Sequence, residues 1–468
     1  MNLPDSRTMG LVNRALVSGQ PDDLLSWHPD RQGYDRAGLT AMVIHVMGAV
    51  QADPRPRWLV ADENAAHFLA GLLGVLAAGR TAVLPQHMGR EAVRGHLGPE
   101  LGLVSAAADL AADSDVVIQA PDSAQSEQEI PLLDRQARLE LFTSGSTGEP
   151  KRVLKSLAQL DDELQALEAL WGESMGEAAV VSTVPHYHLY GLLFRLLWPW
   201  VTGRLFPEEA LLEPPRIAQA VGRFPRAVLV SSPAHLKRWP GYTSLAHAEG
   251  TLPMIFSSAG PLPQATSLAL HEALDPVQVW EVYGSTETGG IAYRDQGCAQ
   301  HRRWHCFAEV ELAFPDGEPG PMSVSSPATD YQWLQTGDRG AWVNKKDACF
   351  ELLGRSDGVI KIEDRRISLA EIESALEASD WVAEAAVIRL DGERQTTAAA
   401  VVLSEAGRSA LSEAGRWAFG RALRGLLATR VTEVALPRRF RYLDALPRNA
   451  MGKLQRRDLL ALFEEGGP

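Results

Sequence analysis

The first half of the chain alternates apolar runs of strand length with longer stretches whose apolar residues recur at helical spacing. Residues 58–61, Trp-Leu-Val-Ala, read as a short buried strand. Residues 67–78 have helical spacing, and Gly79 is placed to end that helix. Residues 81–84 read as the next strand. This strand–helix–strand order predicts a parallel sheet, because parallel neighbours require a crossover connection. Residues 179–183, 227–231 and 254–257 read as further buried strands, and helices are predicted over 157–171 and 215–221.

After about Asp316 the pattern breaks into short β-like pieces with turns, and it changes again beyond Gly354. There the spacing predicts an amphipathic helix over 369–377, strands over 382–389 and 397–403, and a long helix over 409–429. The expected fold class is α/β. A large N-terminal domain, residues 1–354, would combine parallel α/β subdomains with a β-rich subdomain. A small, mobile α+β domain, residues 355–468, would follow it, with the boundary near residues 355–358. A length of 468 residues agrees, since it exceeds what one hydrophobic core usually holds.

Composition narrows the function classes. Apolar residues make up 45% and charged residues 22%, which excludes wholesale disorder. A formal charge of −14 disfavours nucleic-acid backbones and anionic lipid, so no nucleic-acid partner is expected. Against that background Arg438, Arg439, Arg441, Arg448, Lys453, Arg456 and Arg457 fall within twenty positions. Such a basic face suits phosphates or an acidic protein, or is simply solvated. Three cysteines, Cys298, Cys306 and Cys349, are too few and odd in number for a disulfide framework and fit a reducing cytosol. Cys298, His301, His305 and Cys306 lie close in sequence, but without a second CxxC-type pair no zinc site is expected. The N-terminus lacks a basic segment followed by an apolar run, and the most apolar stretches are too short or broken by arginine and proline. The expected location is cytoplasmic, with no membrane span.

The chemistry concentrates first in Thr143-Ser144-Gly145-Ser146-Thr147-Gly148-Glu149-Pro150-Lys151, a loop led into by the mostly apolar residues 139–142. It offers four hydroxyls, two glycines and a lysine. Glycines let the backbone approach an anion closely, N–H and O–H groups donate to phosphate oxygens, and Lys151 adds a point charge. It is not a Walker A loop, because Pro150 precedes Lys151 and Arg152 follows it.

This loop resembles the signature of the adenylate-forming superfamily, which includes acyl-CoA synthetases, aryl acid ligases, luciferases and peptide-synthetase adenylation domains. Further stretches resemble that family's other motifs in the same order. Tyr283-Gly284-Ser285-Thr286-Glu287 matches its second core motif, and the resemblance implies that Tyr283 stacks on adenine, Thr286 meets the α-phosphate and Glu287 holds Mg²⁺. Ser258-Ala259-Gly260-Pro261-Leu262 resembles the small-residue loop lining the adenine pocket. Thr336-Gly337-Asp338 resembles the motif whose aspartate accepts from the ribose hydroxyls. Gly354-Arg355-Ser356-Asp357-Gly358 resembles the hinge motif, in which Arg355 would also reach the ribose and Asp357 would be the pivot. The family usually continues with Gly-x-Arg-Ile. This chain has Asp364-Arg365-Arg366-Ile367, which alters the backbone that approaches the thiol acceptor. Leu446-Pro447-Arg448-Asn449-Ala450-Met451-Gly452-Lys453 resembles the C-terminal catalytic motif, in which Lys453 would bridge the acid and the α-phosphate.

The resemblance therefore implies ATP and Mg²⁺ as cofactors, and a carboxylic acid and a thiol as reaction partners. Pro185-His186-Tyr187-His188-Leu189-Tyr190-Gly191 resembles the family segment Pro-x-x-His-x-x-Gly at the acid pocket. Tyr187, His188, Tyr190, Gly191 and Ser232 are the expected acid-binding residues, with His188 beside the carboxylate. The aromatic neighbours suit a flat or apolar acid, and no carboxylate stands in the segment to hold an amino group. Only about fifty residues separate Glu287 from Asp338, which suggests a trimmed middle subdomain. In this compactness the chain resembles ligases that load acids onto acyl carrier proteins in aryl-polyene and xanthomonadin-type pigment pathways. The expected activity is loading of a 4-hydroxybenzoate-like acid onto a carrier protein. A CoA ligase for an aryl or medium-chain acid is the alternative, and a non-catalytic nucleotide-binding relative is a third reading.

Overall fold

The computed structural model describes residues 9–86, 88–107, 115–118, 129–144, 150–237, 245, 251–315, 319–355, 359–362, 365–390, 396–428, 436–449, 452 and 454–464. The chain divides into two compact units. One comprises Met1–Leu312, Val324–Leu334 and Lys346–Cys349; the other comprises Ala313–Ser323, Gln335–Lys345 and Phe350–Pro468. The C-terminal stretch expected from residue 355 thus belongs to a unit that also takes in two earlier β segments. The fold is α/β, as the patterning predicts.

The first unit carries strands of two large sheets and a two-stranded parallel pair, Ser26–Trp27 with Phe206–Pro207. One large sheet runs in the order Val116–Val117, Leu101–Ser105, Arg57–Val60, Thr81–Val83, Arg138–Ser144, Pro150–Ser156, all pairs parallel except the last. Helix Ala65–Ala77 supplies the crossover. Asn64 caps it by accepting from the N–H groups of Ala66 and His67, and Gly79 follows it in the left-handed region at φ 71°. Phe68, Leu69, Leu72 and Val75 are buried. Gly74 lets helix Arg36–Gln51 pass closely, since a Cβ there would lie 2.6 Å from the Val46 side chain.

The second sheet sets four parallel strands side by side in the order Ala179–Ser182, Arg226–Ser231, Thr251–Ser257, Gln278–Ser285. Gly289–Arg294 and Trp304–Cys306 then continue it antiparallel. Val180, Val181, Val228, Leu229, Ile255, Phe256 and Val279 are all buried. Consecutive buried residues are what a parallel sheet covered on both faces requires.

The second unit pairs Val382–Leu390 antiparallel with Thr396–Leu403, and Arg439–Leu443 adds in parallel. Strand alternation divides its core. Ala385, Val387, Ala399 and Val401 pack with Ile372, Leu376, Phe419 and Leu423, whereas Ala386, Ile388, Ala398 and Ala400 pack with Leu459 and Phe463. Among the described residues no helix is long and apolar enough to cross a membrane.

One expectation needs correcting. Lys151 was placed in the loop, but it lies on strand Pro150–Ser156, paired with Thr143, and Ser144 pairs with Pro150. Pro150 can open this strand because the strand is at the sheet's edge, where a missing backbone donor is tolerated. Gly145, Ser146, Thr147 and Gly148 lie outside the described residues.

Candidate active site

Four parallel strands deliver most of the singled-out residues of the first unit to one edge. The carboxyl ends of Ala179–Ser182, Arg226–Ser231, Thr251–Ser257 and Gln278–Ser285 lead respectively to residues 185–191, to Ser232, to Ser258-Ala259-Gly260 and to Thr286-Glu287. Strand register aligns these ends, with Ser231 opposite Ser257 and Ser257 opposite Glu281. The carboxyl edge of a parallel α/β sheet is the usual place for a ligand crevice.

The 185–191 segment is fixed by its own histidine. His186 is buried and donates through Nε2 to the Asp62 carbonyl (2.9 Å), while its ring lies 4.5 Å from that of Phe68. Burial, with Arg195 nearby, holds its pKa well below the usual histidine range. The Tyr187 and His188 rings meet at 4.7 Å with their planes tilted by 49°, and Tyr190 packs on Phe194 at 4.9 Å. Burial raises the Tyr190 phenol well above the ordinary tyrosine value. Gly191 is obligatory because a Cβ there would stand 1.9 Å from the Pro185 carbonyl. The helix that begins at Leu189 widens into a π-helical turn, Leu192–Leu197. It carries Arg195, which is buried and donates to the carbonyls of Val184 (2.9 Å) and Pro207 (3.4 Å). Burial brings the Arg195 guanidinium down to about 9. Ser232 is hydrogen-bonded to His235 Nδ1 at 3.0 Å.

The Ser258 hydroxyl donates to the Val282 carbonyl at 2.8 Å, which ties the small-residue loop to the strand that carries Tyr283. Ala259 in that loop is held at φ 72°, a left-handed conformation unusual for a residue with a Cβ. The Tyr283 ring sits 5.6 Å from Trp304, which Arg294 covers at 4.4 Å. Gly284 passes so near the returning strand that a Cβ would lie 2.2 Å from the Gly289 carbonyl. The turn at Thr286 and Glu287 is closed by Ser285 and Thr288. The Ser285 N–H donates to Thr288 Oγ1 (3.1 Å), and the Thr288 N–H donates to Ser285 Oγ (3.2 Å).

Lys155 and Glu163 hold the backbone at the exit of this turn, and Gln159 braces the neighbouring 328–330 segment. Lys155 is 2% exposed and donates through Nζ to the carbonyls of Glu287 (3.2 Å) and Ala328 (3.0 Å). Gln159 donates to Ala328 (3.3 Å) and to Asp330 (2.9 Å), and the Glu163 carboxylate accepts from the Gly290 N–H (3.0 Å). Ser326 adds a bond to the Thr288 carbonyl at 3.0 Å. Lys155 lies at the end of strand Pro150–Ser156 and Gln159 and Glu163 lie on the helix that follows, and nothing in their spacing separates them from solvent-facing polar residues.

Thr143, Ser144 and Lys151 lie on the paired strands at the edge of the first unit's other large sheet, and the remaining expected site residues belong to the second unit or stand outside the described residues. Asp338 lies on strand Leu334–Asn344, and its N–H donates to Thr336 Oγ1 (3.1 Å), which donates in turn to the Met322 carbonyl (2.9 Å). Arg355 ends strand Cys349–Arg355. Asp357 and Lys453 are outside the described residues.

Residues 31–319 match the model of the AMP-binding enzyme family, and residues 371–453 match the AMP-binding enzyme C-terminal domain. A 4-coumarate–CoA ligase of Cereibacter sphaeroides is 31% identical over 69% of this chain and 71% of its own length. A D-alanine–D-alanyl carrier protein ligase of Staphylococcus haemolyticus is 26% identical over 68% of this chain and 70% of its own. The crystal structure of ATP-bound MatB from Rhodopseudomonas palustris shares the fold, with a TM-score of 0.80, 19% identity and coverage of 98% of this chain and 99% of that one. With a family model over more than half its length and both kinds of thiol-directed ligase among its relatives, the chain belongs to the AMP-binding enzyme family and is an AMP-forming acid–thiol ligase.

Proposed function

We propose that the protein activates an aromatic, 4-hydroxybenzoate-like acid with ATP and transfers the acyl group to the phosphopantetheine thiol of an acyl carrier protein. The observation that carries this reading is the meeting, at one sheet edge, of an aromatic segment, a small-residue loop and the Tyr283–Glu287 turn. Tyr187, His188 and Tyr190 offer aromatic, largely apolar surfaces, which suit an aryl ring better than a charged side chain. The 4-coumarate–CoA ligase supports an aromatic acid, and the D-alanyl carrier protein ligase supports a carrier protein as acceptor.

In the first step a carboxylate oxygen attacks the α-phosphorus and pyrophosphate leaves, giving acyl-AMP. Two anions must approach, so donors and positive charge have to be in place beforehand. Hydroxyls and backbone N–H groups of residues 143–148, with Lys151, would take the outer phosphates. Thr286 would donate to the α-phosphate, Tyr283 would stack on adenine against Ser258, Ala259 and Gly260, and Asp338 and Arg355 would hold the ribose. His188 would orient the acid, with Ser232 and Gly191 lining its pocket. Glu287 presents a hard carboxylate oxygen on a pinned turn, which fits Mg²⁺ bound through one protein carboxylate and the nucleotide's own phosphates. That ion, when bound, neutralises phosphate charge. Lys453 would bridge carboxylate and α-phosphate. In the second step the thiol loses its proton, sulfur attacks the acyl carbon and AMP leaves. Lys453 must first withdraw, through rotation of the small domain about Asp357.

The test is acid-dependent pyrophosphate exchange across benzoates and fatty acids, followed by gel shift of a holo carrier protein against CoA consumption. Exchange with a hydroxybenzoate and a carrier shift are expected. CoA consumption without a shift favours an aryl- or medium-chain acyl-CoA ligase. ATP-induced thermal stabilisation with no exchange on any acid leaves a nucleotide-binding relative.

A further inference from the structure

We propose that Lys155 and Glu163, with Gln159 bracing the adjoining segment, form a clamp that positions the Thr286–Glu287 turn for the metal–nucleotide complex. The proposal rests on the ligase reading given above, and it assigns work to side chains that the two chemical steps do not touch.

The clamp is anchored where strand Pro150–Ser156 becomes helix Leu157–Met175. The helix begins with a reciprocal cap: Ser156 Oγ accepts from the Gln159 N–H, and the Gln159 side chain accepts from the Ser156 N–H. Gln159 is therefore held at both ends, by the cap on one side and by Ala328 and Asp330 on the other. One turn later Glu163 meets the Gly290 N–H. Lys155, one residue before the cap, reaches the Glu287 carbonyl.

The grip is on the backbone, not on the reacting side chains. The Glu287 carbonyl and the Gly290 N–H lie on either side of the turn's exit, and Gly289 between them is held at φ 67°. A Cβ at Gly289 would come within 2.8 Å of Glu163, so the carboxylate closes over that glycine. The Glu287 backbone is thus fixed by a donor to its own carbonyl, and the direction in which its side chain leaves the turn follows from that.

Burying a lysine and a glutamate is costly unless they offset each other. Burial pulls the Lys155 ammonium down and pushes the Glu163 carboxyl up, and the attraction between them opposes both shifts. Glu163 accepts one backbone N–H and leaves Oε1 unpartnered inside the protein. An apolar pair would serve stability as well or better. What only the charged pair supplies is a strong, directed donor to the Glu287 carbonyl.

The variants are Lys155→Met and the double change Lys155→Met/Glu163→Gln. Calorimetric ATP affinity is measured in excess Mg²⁺ and in EDTA, beside thermal midpoints and pyrophosphate exchange. Loss of two charge-assisted hydrogen bonds should cut the Mg²⁺-dependent gain in ATP affinity roughly tenfold in Lys155→Met, with affinity in EDTA unchanged. Exchange turnover should fall more than KM for the acid rises. The double variant, with no unpaired buried charge, should regain most of the thermal midpoint but none of the Mg²⁺-dependent gain. If stability and the Mg²⁺-dependent gain return together in the double variant, the clamp serves folding alone and the proposal is overturned. Equal Mg²⁺ dependence in wild type and Lys155→Met overturns it as well. Absence of exchange in the wild type would count against the ligase reading, while the calorimetric comparison still judges the clamp.

Discussion

At the scale of single residues, the site is shaped as much by missing side chains as by present ones. Gly284 runs 2.2 Å, measured to where its Cβ would be, from a backbone carbonyl that belongs to the next strand. Backbone cannot swing aside as a long side chain can. Gly284→Ala should therefore destabilise the protein by about 1–3 kcal/mol, as overpacking does, and should also push Tyr283 and Thr286 out of line. Chemical denaturation gives the first quantity, and ATP affinity in the folded range gives the second. Ala259 is the converse case. It adopts φ 72° while carrying a Cβ, at a cost on the order of 1–2 kcal/mol that glycine would not incur. Because glycine also loosens the unfolded chain, Ala259→Gly should shift the denaturation free energy by less than about 1 kcal/mol. A loss of several kcal/mol on denaturation would show that the Cβ itself is required there.

At the scale of elements, the 185–191 segment is a pH-sensitive joint between the two large sheets of the first unit, because buried His186 bonds the Asp62 carbonyl just after strand Arg57–Val60. Its folded pKa lies below the unfolded value near 6.5. The unfolded chain therefore binds the extra proton first. The stabilisation is complete above about pH 6.5 and is lost as pH falls below it, with a slope approaching 1.4 kcal/mol per pH unit for this one group. His186→Gln should remove that component of the slope between pH 6.5 and 5 in thermal or urea titrations, at some loss of stability at pH 7. Much of this architecture is legible in the sequence. An unbroken apolar run locates strand Arg226–Ser231, which is buried from Ala227 onward, and helical spacing locates helix Leu369–Glu377. Helix Arg36–Gln51 is less legible, since its central Ala-Met-Val-Ile run is apolar without a clear period. The π-helical turn Leu192–Leu197 is hidden for a related reason: buried on every side, Arg195 included, it offers no spacing to count. Lys155 and Glu163 are hidden because charged residues ordinarily signal solvent, and only their partners on a distant turn show why they are buried.

At the scale of the whole molecule, each unit has its own hydrophobic packing. One cluster forms around Val181, Leu229, Ile255 and Val279 in the first unit, and another around Ile372, Val387, Phe419 and Leu423 in the second. Lys453 follows the latter cluster in sequence, whereas Tyr283, Thr286 and Glu287 come from the sheet of the former. If adenylation needs positive charge from Lys453 and thioester formation does not, one substitution should separate the steps. Carboxylate attack on phosphorus brings two anions together, and losing one placed cation there costs about 10²–10³ in rate. Thiol attack on acyl-AMP requires no approach of a carboxylate to a phosphate. Lys453→Ala should thus lose acid-dependent pyrophosphate exchange by that factor, keep its thermal midpoint, and still form thioester from supplied acyl-AMP near the wild-type rate. Normal exchange in this variant would remove Lys453 from the first step. Equal loss in both steps would mean that the lysine supports binding of the adenylate rather than its formation.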